Sequence, residues 1–418
     1  MKSTSKTTAC LVALMGVMCL ALPASGGPTT KPATKPAKAK EEPVKAPDVP
    51  FIISYWCGPP KEATTFARMK EIADCGFNVA QGPNLWEKPD AAQVVINKRF
   101  LNLCQQAGIK AFIWDGNVCK GTTWDKFSPE DIPGIEKDLD GMIANYSSHP
   151  ALLGFVLGDE MLTPAHPRLG MVTQYLLKKD PKHVPYYNLL PLYAFKNATE
   201  YENLVANYME TVKPALLSWD HYRQMFENGD ERTYWENLEI MRRQCLKTGT
   251  PFNQIIVSLR HMGYRECSEA DLRWQVWTSL AYGSRGINYF TYWFVPGLAW
   301  ADAPAFISKE GKRDVKWTYG SKINHRIGKL GPTLVKLTST DVFCTDPLPI
   351  GTHGLGEEGP VKKAEGGAMV IGCFKDAAAK DGSAYILPVN RVFNAAIKAT
   401  LTLDEKFVSA SEISQETG

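Results

Sequence analysis

The sequence lacks most of the short signatures that mark a reaction class, and each gap removes a possibility. Its first strand-to-helix turn is Cys57-Gly58-Pro59-Pro60, which offers no glycine-rich cradle for a nucleotide phosphate. It has no GxSxG elbow, which argues against a serine acyl-transfer triad. Its seven scattered histidines make no HxH or HExxH pair, so no catalytic metal and no cofactor is expected. Its ten cysteines include no CxxC pair. Beyond the N-terminus no run of 18 apolar residues occurs, so no membrane span is expected there. Positive charge is also missing where a nucleic acid would need it. Residues 1–50 carry a net +4 and the remaining 368 a net −1, so no nucleic-acid partner is expected. Finally, none of the 44 Phe, Trp and Tyr residues lies in the first 50 positions. The large rings are all confined to the chain beyond residue 50.

The N-terminus carries an address. Lys2 and Lys6 precede an apolar run over 9–22, followed by Pro23-Ala24-Ser25-Gly26. A charged start, a short apolar core and a small-residue cleavage site read as a secretory signal peptide over 1–26, removed after Ala24 or Gly26. Residues 27–50 are rich in Pro, Lys, Ala and Thr without apolar periodicity, which predicts a disordered linker. The expected location is therefore secreted or periplasmic. Export would leave eight cysteines able to oxidise. Their wide dispersal suits small buried hydrophobes, with room for one or two disulfides.

From Phe51 onward apolar runs and amphipathic patterns alternate. The runs at 51–57, 77–81, 109–115, 151–159, 184–190, 215–220, 252–259 and 286–293 read as eight strands. Helical patterns lie between them, for example at 62–75, 90–107, 134–147, 198–212, 232–247 and 269–282, with a further one at 320–337. Gly76, Gly108, Gly249 and Gly283 stand where helices should stop. Eight strand–helix units predict an α/β fold, a (β/α)8 TIM barrel over 51–337. A doubly wound open sheet is the alternative. After residue 338 helical periodicity gives way to short strands at 368–374, 383–390, 396–403 and 406–413. They predict a small C-terminal antiparallel β-sandwich over 338–418, one or two strands short of closure.

A barrel of this kind works at the C-terminal ends of its strands, which selects the candidates. The most informative segment is GFVLGDE at 154–160, an apolar strand ending on Asp159 and Glu160. Adjacent carboxylates at a buried strand end raise each other's pKa, as a general acid near neutrality requires. The plain structural readings are a helix N-cap or an ion pair. Strand 6 ends in Trp219-Asp220-His221-Tyr222. There Asp220 is either a second catalytic carboxylate or a turn cap. Trp56, Gln81, Asp115, Asn188 and Trp293 close other strands. Flat indole rings suit the apolar faces of sugars, so a carbohydrate is the expected partner. Trp274 and Trp277, three apart on a helix, are expected to pack against the barrel wall. Nothing in the sequence bears on oligomeric state.

Two stretches carry a family resemblance. The GDE ending of strand 4 and the segment DLRWQVWTSLAYGSRGINYFTYW at 271–293 resemble the clan A glycoside hydrolases. The match is to the barrel of family 42 β-galactosidases and to secreted barrels related to them. The resemblance implies a glycoside hydrolase in which Glu160 is the acid/base. Asp159 replaces the Asn that contacts the sugar 2-hydroxyl, and Trp293 is the strand-8 platform. It also implies a nucleophilic Glu at the end of strand 7, where this sequence reads IIVSLRHMG. The nearest acids there are Glu266 and Glu269. Two expectations follow. One is a secreted hydrolase of O-glycosidic bonds using Glu160 and Asp220. Trp56, Asp115, Asp159, Asn188, Trp219, His221, Tyr222 and Trp293 would be its substrate contacts. The other is an inactive carbohydrate-binding barrel.

Overall fold

The computed structural model describes residues 46–83, 92–116, 118, 128–225, 232–294, 303–379 and 381–418. The signal-peptide reading lies outside the described residues, as does most of the linker.

Eight parallel strands form the barrel: β1 (Ile52–Trp56), β2 (Val79–Gln81), β3 (Lys110–Trp114), β4 (Leu152–Asp159), β5 (Val184–Asn188), β6 (Leu217–Asp220), β7 (Phe252–Val257) and β8 (Gly286–Phe290). They pair as two four-stranded sheets, β1-β8-β7-β6 and β2-β3-β4-β5. Two seams close them into a ring. At one, Asn78 N–H donates to Ile53 O (3.1 Å), while the Asn78 side chain accepts from Ile53 N–H and donates to Phe51 O. At the other, Leu189 N–H donates to Ser218 O at 2.8 Å. Closure leaves no free sheet edge, and helices cover the outside, so nearly every strand residue is buried.

The helices are α1 (Phe66–Asp74), α2 (Gln93–Gln106), α3 (Ile132–Tyr146), α4 (His166–Lys179), α5 (Ala198–Thr211), α6 (Tyr234–Thr248), α7 (Glu269–Ala281) and α8 (Val315–Leu334). The expected TIM barrel is thus present, and each expected barrel strand overlaps an observed one. Gly76, Gly108, Gly249 and Gly283 all take positive φ, the left-handed turn that frees a chain leaving a helix. At the start of α7, Ser268 and Asp271 cap each other, and Arg265 clasps Asp271 through two 2.8 Å bonds.

The C-terminal strands are β9 (Leu337–Cys344), β10 (Val361–Glu365), β11 (Met369–Asp376), β12 (Tyr385–Asn390) and β13 (Thr400–Leu403). They form two antiparallel sheets, β12-β11-β9 and β10-β13. Phe343, Val361, Met369, Ile371 and Cys373 share a small core between them. Two sequence expectations need correcting. Residues 406–413 are irregular rather than a strand. The apolar Val408 and Ile413 are exposed there, so no neighbour rewards pairing. β9 and β10 were not anticipated, because β9 follows α8 almost directly and β10 alternates charged with apolar residues.

Barrel and C-terminal strands belong to one compact unit. Trp274 on α7 donates its indole N–H to Arg391 O at 3.1 Å, and Arg242 on α6 donates to Ser339. Trp274 therefore faces α6 and the small sheets, where the sequence suggested the barrel wall. The seven described cysteines are all free. Among the described residues no helix is long and apolar enough to cross a membrane.

The small sheets come very close to the barrel helices at Gly372 of β11, where an added Cβ would sit 2.1 Å from Ala281 O at the end of α7. Gly372→Ala is expected to lower stability by about 1–3 kcal/mol, the usual cost of overpacking. Urea denaturation followed by circular dichroism measures it. An unchanged midpoint would show that the small sheets are not held against α7 there.

Candidate active site

The site begins with strand alternation. Residues two apart on a barrel strand share a face, and register partners on neighbouring strands do too. On β5 this sends Tyr186 and Asn188 inward. On β6 it sends Ser218 and Asp220 inward, and on β4 it sends Asp159, the register partner of Asn188, the same way. These side chains meet. The Asn188 amide donates one hydrogen to Asp159 Oδ1 at 3.0 Å and one to Asp220 Oδ1 at 2.9 Å. Its oxygen accepts from Ser218 Oγ at 3.1 Å. Ser218 in turn bonds the Tyr186 hydroxyl, which also accepts from Asn288 of β8. A polar chain therefore runs across the barrel from β4 to β8.

Alternation alone would turn Glu160 away from Asp159. Instead Glu160 takes φ +55°, a left-handed conformation that a non-glycine residue adopts at a cost. Its N–H is held by Asn188 O at 2.8 Å. The kink keeps two consecutive carboxylates at one mouth. Glu160 is exposed, Asp159 half-buried and Asp220 buried.

Electrostatics follow from this crowding. Burial, then the Glu160 charge, pushes Asp159 up to about 7, against the pull of its Asn188 hydrogen bond. Burial raises Glu160 as well. Asp220 is held well above the carboxylate range by burial and by the charges of Glu160 and Asp159. Three coupled acids thus share one mouth, and neutrality of some favours ionisation of others.

The remaining sequence candidates divide. Tyr222 lies beside the cluster, in edge contact with His261 and Tyr264 and close enough to feel Asp220 and Glu160. Trp56 is buried near Tyr186, their rings 6.1 Å apart. Asp115 is buried beside the Tyr146 hydroxyl. Trp293 has the Arg68 guanidinium over its ring at 4.8 Å. Asn188 spends both amide hydrogens inside the carboxylate network, so it orients acids rather than offering a donor to substrate. Trp219 and His221 require correction. Both are fully buried on the outward face, Trp219 against Phe252 and His221 bonded to Asn237 of α6 at 2.6 Å. They pack the wall, because alternation from the inward Asp220 points its two neighbours outward.

Two residues at the mouth were missed by the sequence reading. The Tyr264 hydroxyl donates to the Tyr193 hydroxyl at 2.9 Å, and Tyr193 senses both Asp220 and Glu160. Both lie in loops after strand ends, so a search carried a few residues past each strand would have found them. The end of β7 holds no acid. Ser258 is buried and donates to Thr291 O at 3.0 Å. Glu266 pairs with Lys316 at the start of α8, and Glu269 with Arg273 and Lys322.

The sequence matches no family model and no curated protein. Solved structures match it in fold. The β-galactosidase of the psychrophilic Marinomonas ef1 aligns with TM-score 0.52 and 8% identity over 68% of this chain and 62% of that one. That of the Antarctic haloarchaeon Halorubrum lacusprofundi aligns with 0.52 and 10%, over 67% and 58%. A GH42 β-galactosidase from G. stearothermophilus gives 0.52 and 9%, over 68% and 57%. The chain therefore spans about three-fifths of the length of these proteins. It shares their barrel fold.

Two outcomes follow from the geometry. A carboxyl that titrates at about 7 folded and near 3.8 unfolded keeps its proton on folding between those values. The folded state then binds more protons, so stability falls as pH rises through that window. The urea midpoint of the wild type is expected to fall between pH 4 and 7, and to fall less in Asp159→Asn. Equal slopes would remove Asp159 as a cause. Glu160→Gly is expected to raise stability by about 1 kcal/mol by relieving the left-handed backbone, read as a higher melting temperature.

Proposed function

We propose that the chain is an exported glycoside hydrolase that cleaves O-glycosidic bonds of an oligo- or polysaccharide, with Glu160 as general acid. The observation that carries this reading is the carboxylate group at the C-terminal mouth of the barrel, built on β4 and β6 and tied through Asn188. An exposed acid with a raised pKa keeps a proton to give to a leaving oxygen, and its neighbours supply negative charge against a developing oxocarbenium ion. If the product is inverted, Asp220 is the group that activates water. The tyrosines around the mouth (Tyr193, Tyr222 and Tyr264) are the rings and hydroxyls nearest a bound sugar. Fold likeness to the β-galactosidases supports the class and leaves the sugar open. Export rests on the leader over 1–26.

A second reading, a carbohydrate-binding barrel without turnover, is favoured by one observation: no acid stands at the end of β7. The two separate in one experiment. A panel of aryl glycosides and oligosaccharides is offered to the wild type and to Glu160→Gln, with sugar binding measured by calorimetry. The expected result is turnover by the wild type and a loss of about 10²–10⁴-fold in kcat for the variant with binding retained. Binding without turnover in both proteins would establish the second reading.

A further inference from the structure

The missing group at β7 raises the question of what stabilises the sugar once the bond to the leaving group weakens. A retaining glycosidase normally sets a second carboxylate about 5 Å from the acid. Here the strand-7 position is Ser258, buried with its hydroxyl donated to Thr291 O. The next acids, Glu266 and Glu269, are bound by Lys316, Arg273 and Lys322. Asp220 is the less accessible of the two carboxyls tied to Asn188. It is 7% exposed, bonded to Asn188 and crowded by two other carboxyls. Among the described residues, what remains beside the acid is Asp159, consecutive with it. Among the described residues only Asn188 donates to its carboxylate, and only to one oxygen.

A second observation points to a polar ligand group at this mouth. Gln81, closing β2, is fully buried, yet neither its amide oxygen nor its amide nitrogen has a partner among the described residues. It faces into the barrel, since its register partner Phe112 packs on the inward Tyr186 at 5.0 Å. Its backbone adjoins Gly58, next to Cys57, whose thiol feels the Asp159 charge. A buried carboxamide with both valences open among the described residues leaves room for a polar partner.

We propose that the substrate supplies its own nucleophile: the sugar cleaved is a 2-acetamido-2-deoxyhexoside, and Asp159 holds its amide N–H. This rests on the glycosidase reading of the site. In the first step the acetamido carbonyl oxygen bonds to C1 as the C1–O bond to the leaving group breaks. Glu160 gives its proton to the departing oxygen, and Asp159 takes the amide proton, leaving a neutral bicyclic oxazoline. In the second step water adds to C1 and gives a proton to Glu160. The bond between C1 and the former acetamido oxygen breaks, and Asp159 returns its proton to the amide nitrogen. One water is consumed, nothing is oxidised, and the anomeric configuration is retained.

The test uses the full chain and matched 4-nitrophenyl glycosides, both anomers, of glucose, galactose and their 2-acetamido-2-deoxy counterparts. The acetamido series is expected to show at least about 100-fold higher kcat/KM than the 2-hydroxy series. Replacing acetyl with trifluoroacetyl, which drains the carbonyl oxygen of electrons, is expected to slow turnover by about 100-fold. Asp159→Asn should lower kcat by about 10²–10³-fold, and product NMR should show retention. The substrate comparisons need no variant, so they stand even if Asp159→Asn folds poorly. Equal turnover of both series, indifference to fluorine or an inverted product would overturn the proposal while leaving a glycosidase. Failure to cleave either series would overturn both.

Discussion

Asn188 is the residue on which the mouth of this barrel depends. Two carboxyls from β4 and β6, each with an oxygen within 3.0 Å of the same amide nitrogen, would repel if both were charged. A neutral double donor on the strand between them satisfies each without adding charge, and its oxygen anchors to Ser218. An aspartate there would add a third charge, and a leucine would leave a half-buried and a buried carboxyl without their shared donor. Because Asn188 O also holds the Glu160 N–H, one residue fixes all three acids.

The second constraint is backbone strain at Glu160. A regular strand would bury one of two adjacent residues and turn the other away. The left-handed residue after β4 breaks that rule at the one place where it separates two acids. Strain that the surrounding contacts hold in place is common at sites that work on ligands. Around this mouth the rest of the chain is conventional. Helix caps, ion pairs and the small sheets clasping α6 and α7 keep the ring rigid, and they draw Glu266 and Glu269 into structural pairs with helix residues.

The likeness to the β-galactosidases is one of barrel fold. The sequence resemblance implies a carboxylate at the end of β7, and the chain reads IIVSLRHMG there. Here charge is gathered instead on β4 and β6 with Asn188 between them. A barrel whose chemistry resides in its strand ends can carry its acids on any of those strands.

The sequence by itself determined the strand count, the helix stops and the strand-4 carboxylates, because apolar periodicity and glycine positions are local properties of the chain. It also pointed to Asp220. Tertiary structure decided the rest. Whether Trp219 and His221 face sugar or helix turns on which side of the ring is inside, and only closure sets that. Tyr193 and Tyr264 lie 71 residues apart and meet only because two loops rise from the same end of the barrel. The bridge by Asn188 likewise joins residues about 30 positions apart on either side. Its register comes from the pairing of β4, β5 and β6. β9 and β10 were hidden for the same reason: their pairing partners, β11 and β13, make them strands more than their composition does.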